Sequence, residues 1–268
     1  MSRYICAYKF NIFNMKNNFV TNELEGKVAV ITGAASGIGR ATAALLYARG
    51  VSVVAEDYNP AVKEMAEEFP GMVTLVGDVT EEQTAKEVVD LAIKHFGKLD
   101  ILVNNAGRII NKLVVDTTLE DWNLMLATNV TGAFLHSKEA LKAMIPNKSG
   151  AIINIGSYAC YFSFPTISAY SASKGALAQL TKTAALEGIE HGIRVNAIGV
   201  GDVVTNIINE HQENGRDFLA EHGKLAPIKR AAEPEEIAEI VSFLASERAS
   251  FIVGSILMAD GGISTIIQ

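Results

Sequence analysis

The feature that most narrows what this chain can fold into is a run near its N-terminus, Lys27-Val28-Ala29-Val30-Ile31-Thr32, which passes through Gly33-Ala34-Ala35-Ser36-Gly37-Ile38-Gly39 into Arg40-Ala41-Thr42-Ala43-Ala44-Leu45-Leu46. It reads as strand, glycine turn, helix. Glycines let the backbone turn tightly and approach a diphosphate closely, and the free N–H groups of a helix start supply positive potential for it. The predicted phosphate contact therefore runs over Gly33, Ser36, Gly37, Ile38 and Gly39. The spacing is G-x-x-x-G-x-G, which meets the mechanism of the common dinucleotide fingerprint rather than its letters. A second apolar strand, Val51-Ser52-Val53-Val54-Ala55, ends in Glu56-Asp57, with Asp57 eighteen residues after Gly39. A carboxylate there accepts hydrogen bonds from the adenosine ribose hydroxyls and repels a 2′-phosphate.

Short Val/Ile/Leu-rich runs then alternate with helical stretches, as expected of a parallel sheet covered on both faces. Strands are predicted near 27–32, 51–56, 72–77, 99–103, 151–155, 193–198 and 255–258. Thr80 with Gln83 and Thr117 with Glu120 have capping-box spacing, Gly50 suits a helix C-terminus and Pro234 a first helical turn. The predicted fold is α/β: a Rossmann-like, doubly wound three-layer sandwich on a seven-stranded parallel sheet, with ligands at the carboxyl ends of the strands.

A third feature is the pair Tyr170 and Lys174 in Ser168-Ala169-Tyr170-Ser171-Ala172-Ser173-Lys174. On a helix the two side chains rise from one face, a turn apart. A neighbouring ammonium favours phenolate, so Lys174 is expected to lower the Tyr170 pKa from about 10.

With these motifs the chain, from Leu24 to Gly262, resembles a short-chain dehydrogenase/reductase of the single-domain type. The resemblance rests on motifs in order: the glycine turn, Asp78-Val79-Thr80, Asn104-Asn105-Ala106-Gly107, Asn129 in Asn129-Val130-Thr131-Gly132, Ser157 thirteen residues before Tyr170, Tyr170 with Lys174, and Asp260-Gly261-Gly262. It implies an adenine pocket at Asp78 and Val79, and further cofactor contacts from Asn105, Ala106, Gly107, Tyr170, Lys174, Val200, Gly201 and Val203. It implies that Tyr170 is the acid/base, that Lys174 tunes it and bonds the nicotinamide ribose, that Ser157 holds the substrate oxygen and that Asn129 anchors a relay water. No metal is expected. Relatives that prefer NADP carry a basic residue before the middle glycine or after the second strand. Here Ser36 and Tyr58 stand at those places, so NAD(H) is the expected cofactor, with Arg40 as the best counter-argument. Oligomeric state follows from resemblance alone: a homotetramer.

The sequence departs from its relatives where a Pro-Gly pair is usual, since Gly199-Val200-Gly201-Asp202 has Val200 in place of proline. Valine restores an N–H and frees φ. Residues 201–227 resemble a substrate lid. Tyr158, Tyr161, Phe162 and Phe164 offer either an apolar wall for a carbocyclic, lipid-like or acyl substrate, or simple packing. The leading reading is hydride transfer between NAD(H) and a secondary alcohol or ketone. The alternatives are a 3-oxoacyl-carrier-protein reductase, which Asp57 and Ser36 disfavour, and a cofactor-binding protein without turnover, against which the intact Asn129, Ser157, Tyr170 and Lys174 set speaks.

Bulk composition narrows the partners. A net charge of −7, with no Lys/Arg cluster, argues against nucleic acid, and no apolar stretch reaches the ~20 residues of a membrane span. Cys6 and Cys160, far apart, fit a reducing cytoplasm better than a disulfide framework. With 268 residues and 49% hydrophobic content, one domain over 24–268 suffices. Residues 1–23, with five Asn and no acid before Glu23, read as a disordered or loosely docked extension, Met15 serving as an alternative start. Removing residues 1–14 should leave turnover and light-scattering mass unchanged; loss of either would overturn that reading.

Overall fold

Each Val/Ile/Leu-rich run becomes a strand flanked by parallel neighbours, because the intervening amphipathic helices return the chain to the same edge of the sheet. The computed structural model describes residues 23–208 and 214–266. Among them the strands are β1 (Val28–Thr32), β2 (Ser52–Asp57), β3 (Val73–Val76), β4 (Ile101–Asn104), β5 (Gly150–Ile155), β6 (Ile193–Val200) and β7 (Ile256–Ala259). They form one sheet in the order β3-β2-β1-β4-β5-β6-β7, parallel throughout. The helices are α1 (Gly37–Ala48), α2 (Glu64–Glu68), α3 (Glu82–Phe96), α4 (Leu119–Leu126), α5 (Gly132–Met144), α6 (Ser168–Ile189), α7 (Gly215–His222) and α8 (Pro234–Ala245). The expected extension over 1–23 lies outside the described residues except for Glu23, whose carboxylate meets Arg248 at 3.0 Å.

Alternation along the strands splits the core in two. Ala29, Ile31, Val53, Ala55, Ile101, Val103 and Ile153 face Leu46 of α1 and Ile237, Val241 and Leu244 of α8. Val28, Val30, Val54, Leu102 and Ile152 face Val88 of α3, Met144 of α5 and Ala184 of α6 on the opposite side. This is why the strands read as continuous apolar runs. A buried polar ladder crosses the second layer: Asn104 Nδ2 donates to Asn154 Oδ1 at 2.8 Å, and Asn154 Nδ2 to Thr181 Oγ1 at 2.8 Å. Its bonds tie β4, β5 and α6 in one register.

Several local expectations shift. Pro234 does open α8, and Gly50 follows α1 with φ +78°. The capping box of α4, however, uses Thr118 and Asp121 rather than Thr117 and Glu120, since Thr117 turns its hydroxyl back to the Leu113 carbonyl at 2.8 Å. α3 begins after Glu81 with no side-chain cap, and the Thr80 N–H that a Thr80–Gln83 box would use is taken by Asp78 Oδ1 at 2.9 Å. Between β1 and β4 the chain's crossovers diverge to opposite sides of the sheet, opening a crevice at the carboxyl edge.

Candidate functional site

The cofactor end is shaped by backbone that admits no side chain. Gly33 and Gly37 have φ of +66° and +52°, a region costly for any residue with a Cβ. A Cβ on Gly39 would overlap the Gly33 carbonyl oxygen and stand 2.5 Å from Asn105 Nδ2. Asn105 locks this approach: its Nδ2 donates to the carbonyls of Thr32 and Gly33 at 2.9 and 3.0 Å, while the backbone N–H groups of Asn105 and Ala106 both donate to Thr32 Oγ1 at 3.0 Å. The start of α1 thereby points its unsatisfied N–H groups into the crevice. Asp57, 7% exposed, closes the far side. Its Oδ2 accepts from the Ala35 N–H at 2.9 Å and its Oδ1 from the Asn59 N–H at 2.8 Å, leaving one lone pair on each oxygen for a ligand hydroxyl.

The crevice continues as a cleft of about 510 Å³, within the range of small-molecule sites. Its walls include Gly33, Ser36, Gly37, Ile38, Asp57, Asp78, Val79, Asn105, Ala106, Gly107, Tyr170, Lys174 and Val200, so most of the predicted residues converge on one space. Gly39, Asn129, Ser157, Gly201 and Val203 are not among the residues that line it. Val203 is 5% exposed and joins the core, and its backbone bridges to Ala232. Gly201 lies under Asp260, whose Cα would be 2.7 Å from an added Cβ. The cleft also takes in Thr205, Asn206 and Ile207, which motif reading missed. A Cβ on Gly37 would meet Thr205 Cγ2 at 3.1 Å, so this threonine faces the glycine turn. No spacing rule ties it to that turn, and only the fold brings them together.

Tyr170 and Lys174 occupy successive turns near the start of α6, both buried, at 8% and 5% exposure. Lys174 Nζ donates to the Ile155 carbonyl at 2.8 Å and stands 5.6 Å from the Tyr170 ring centroid. Ser157, just past β5, accepts the Ala159 N–H at 3.1 Å and shares a hydrogen bond with the Tyr170 side chain. Asn129 lies in a five-residue π-helical stretch, Ala127–Thr131, between α4 and α5. Its Nδ2 donates to the Arg108 carbonyl at 3.0 Å and to Ser173 Oγ at 2.9 Å, and its Oδ1 accepts the Arg108 N–H at 2.9 Å. Ser173 Oγ in turn donates to the Tyr170 carbonyl at 2.7 Å, so Asn129 braces the helical turn that carries Tyr170.

The electrostatics run opposite to the sequence expectation. Burial pushes the Tyr170 phenol up to about 12, with the Ser157 hydrogen bond opposing, and the ammonium of Lys174 does not reverse it. Burial also brings Lys174 down to about 8. Desolvation disfavours both charged forms here. The ammonium lies over the face of the phenol ring and is anchored on a carbonyl. At neutral pH the site holds a protonated phenol beside a charged lysine.

The predicted aromatic wall divides. Tyr158 and Phe164 pack edge to face at 4.8 Å, whereas Tyr161 is 54% exposed with Lys182 Nζ 5.6 Å from its ring centroid. Val200 is the last residue of β6, two beyond the predicted end of the strand: it pairs with Ala259, and the Gly201 N–H donates to the Ala259 carbonyl at 3.0 Å. The backbone beside the cleft is therefore held by the sheet where a proline would have held it by its ring. In the expected lid, His222 Nδ1 of α7 meets Asp202 Oδ2 at 2.8 Å and stacks on Phe218, while Asn209 and His211 lie outside the described residues.

A family model described as Enoyl-(Acyl carrier protein) reductase matches residues 33–264. The chain belongs to the short-chain dehydrogenase/reductase family. Among curated proteins, the 3-oxoacyl-[acyl-carrier-protein] reductase FabG of Thermotoga maritima is 37% identical over 246 residues, covering 90% of this chain and 98% of the relative. The cis-4-hydroxycyclohexanecarboxylate dehydrogenase of Sinomonas cyclohexanicum is 39% identical over 245 residues, covering 90% and 97%, and the cyclohexanol dehydrogenase of an Acinetobacter strain is 37% identical over 249 residues, covering 90% and 96%. The crystal structure of levodione reductase superposes with a TM-score of 0.84 at 31% identity, covering 91% of this chain and 99% of that one. This short-chain dehydrogenase/reductase is an oxidoreductase of the CH–OH class that uses a nicotinamide cofactor. No helix among the described residues is long and apolar enough to cross a membrane.

The lysine shift gives the family fold a signature in alkaline solution. Lys174 titrates near 8 when folded against 10.5 ordinarily, so between those values the unfolded chain binds more protons and stability rises with pH. Below about 8 the ammonium is charged in both states and its burial penalty is fully present. Thermal melts from pH 7 to 10 should show wild type gaining on Lys174→Met as pH rises; parallel curves would place the ammonium in water.

Proposed function

We propose that the protein is an NAD(H)-dependent dehydrogenase/reductase of secondary ring alcohols and their ketones. The observation that carries the cofactor choice is Asp57, a carboxylate in the cleft wall at the end of β2 whose oxygens each keep an acceptor site beyond their backbone hydrogen bonds. A 2′-phosphate at that point would meet its charge. Arg40, the cation nearest the glycine turn in sequence, is engaged by the Glu68 carboxylate and is not part of the cleft wall. Gly33, Gly37 and the start of α1 fit a diphosphate, since the two positive-φ glycines line the cleft without side chains and the first N–H groups of the helix stand beside them.

When bound, the nicotinamide cofactor supplies the hydride-transfer chemistry. The protein's own part is proton handling. In reduction, Tyr170, kept protonated by burial, donates its hydroxyl proton to the substrate carbonyl oxygen as the carbon gains hydride, and in oxidation the phenolate takes the alcohol proton. Ser157, hydrogen-bonded to Tyr170, orients and polarises that oxygen. The Lys174 ammonium stabilises the phenolate that forms, and the second lone pair of Asn129 Oδ1 accepts a relay water. The ring-alcohol reading draws on the two cyclohexane-type dehydrogenases among the relatives and on the Tyr158–Phe164 pair near the reaction corner. The Thermotoga relative favours a second reading, reduction of 3-oxoacyl-carrier-protein, so both substrate types belong in the assay. A homotetramer is proposed from the family resemblance, and exposed Leu113, Val114, Val115 and Leu119 offer apolar surface for contacts between copies.

With cyclohexanol as probe, kcat/KM should favour NAD over NADP by roughly tenfold to a hundredfold, and Asp57→Ala should erase the difference; equal values for the wild type would sink the cofactor assignment. Tyr170→Phe should lower kcat by roughly a hundredfold or more while NADH still binds, and retained turnover would remove Tyr170 from the reaction.

A further inference from the structure

Two titratable side chains lie fully buried outside the reaction corner, and they touch each other. Glu56, the penultimate residue of β2, and His136 of α5 are each 0% exposed, with His136 Nε2 at 2.8 Å from Glu56 Oε2. His136 Nδ1 is 2.8 Å from the Gly132 carbonyl. A carbonyl only accepts, so Nδ1 carries a proton and donates it. The Nε2–Oε2 bond then needs one further proton, which belongs to the pair whichever atom holds it. The other carboxyl oxygen, Oε1, meets no donor among the described residues, so His136 is the sole side-chain anchor of Glu56.

Such a pair is an expensive way to fill an apolar layer. Burying both groups is costly, and two hydrophobic residues of similar volume would serve packing alone. A short hydrogen bond adds direction. Side chains alternate along a strand, so Glu56 points toward α5 with Val54, and Asp57 points to the opposite face, toward the Ala35 N–H. The Glu56 main-chain carbonyl accepts the Ala34 N–H of the glycine turn at 2.9 Å. At the other end, Gly132 presses on the adenine side of the cleft: an added Cβ would meet Val79 Cβ and Cγ2 at 3.0 Å. One bond thus connects the Asp57 strand end to the helix start that backs Val79.

We propose that Glu56 and His136 are positioning residues for the adenosine end of the cofactor, holding Asp57 and Val79 at a fixed separation through their mutual hydrogen bond. The inference rests on Asp57 as the ribose acceptor. In the free enzyme the bond keeps the pocket at the width the ligand needs, so binding does not have to order it.

NADH fluorescence titration of the full chain tests this alongside melting temperature and kcat. Glu56→Ala should weaken NADH binding roughly tenfold with kcat at saturating cofactor unchanged. Glu56→Gln, whose amide donates to Nε2 in the same place, should bind NADH like wild type. If Glu56→Ala fails to fold, the double variant Glu56→Leu with His136→Phe removes both polar groups and should show the same weakening in a folded protein. Wild-type NADH affinity in either of these folded variants overturns the proposal, as does Glu56→Gln binding no better than Glu56→Ala. Asp57→Ala separates the two levels: if it leaves NADH affinity unchanged, the ribose reading fails; if it alone weakens binding, only the positioning role fails.

Discussion

Two pieces of main chain, the Gly33 carbonyl and Gly39 at the start of α1, approach so closely that no side chain fits between them, and Asn105 pins the turn by donating its amide to the Thr32 and Gly33 carbonyls. The crevice depends on that contact. It sets how near α1 comes to the carboxyl edge of the sheet, and hence where its free N–H groups point. It also fastens the end of β1 to the segment after β4, through Thr32 Oγ1 as well as through Asn105. Asp57, on the strand next to β1, is then tied to the same turn through Ala35. Geometry at the diphosphate end is therefore transmitted by backbone and short side chains, which have few rotamers to lose.

At the reaction corner the controlling quantity is solvent exclusion. Both members of the Tyr170 and Lys174 pair are buried, and burial moves their proton affinities in opposite senses, toward neutrality for each. The sequence spacing foretold that the two side chains would share a helix face. It did not foretell that desolvation would outweigh their attraction, because burial depends on β5, the Ser157 segment and the strand end at Val200 closing around them. The same is true of Val200: a missing proline is visible in the letters, but the extra ladder pairing with Ala259 that replaces its stiffness is not.

Legibility follows the range of the interaction. Strands and their order of appearance were readable from Val, Ile and Leu runs such as Val28–Thr32 and Ala151–Ile155, since both faces of those strands are buried. The glycine turn was readable because steric exclusion leaves few alternatives. The α4 cap slipped by one residue to Thr118 with Asp121, and the expected box at the start of α3 is lost because Asp78 takes the Thr80 N–H. Thr205 opposite Gly37, and His136 opposite Glu56 eighty positions away, carry no local pattern, so only the assembled fold reveals them.

The π-helical stretch at Ala127–Thr131 lets one nearly continuous helix serve two masters. A wide turn inserts an extra residue and rotates everything beyond it by about 100° relative to an unbroken α-helix. Before it, the helix addresses the cleft through Leu124, and the stretch itself does so through Ala127 and Thr128; after it, His136, Ala140 and Met144 face the sheet. The stretch acts as a phase shifter between chemistry and core. Losing a single residue there would turn one half of the helix against the other and misdirect the contacts on one side of it, so the length of this segment is constrained as closely as the Asn129 it carries.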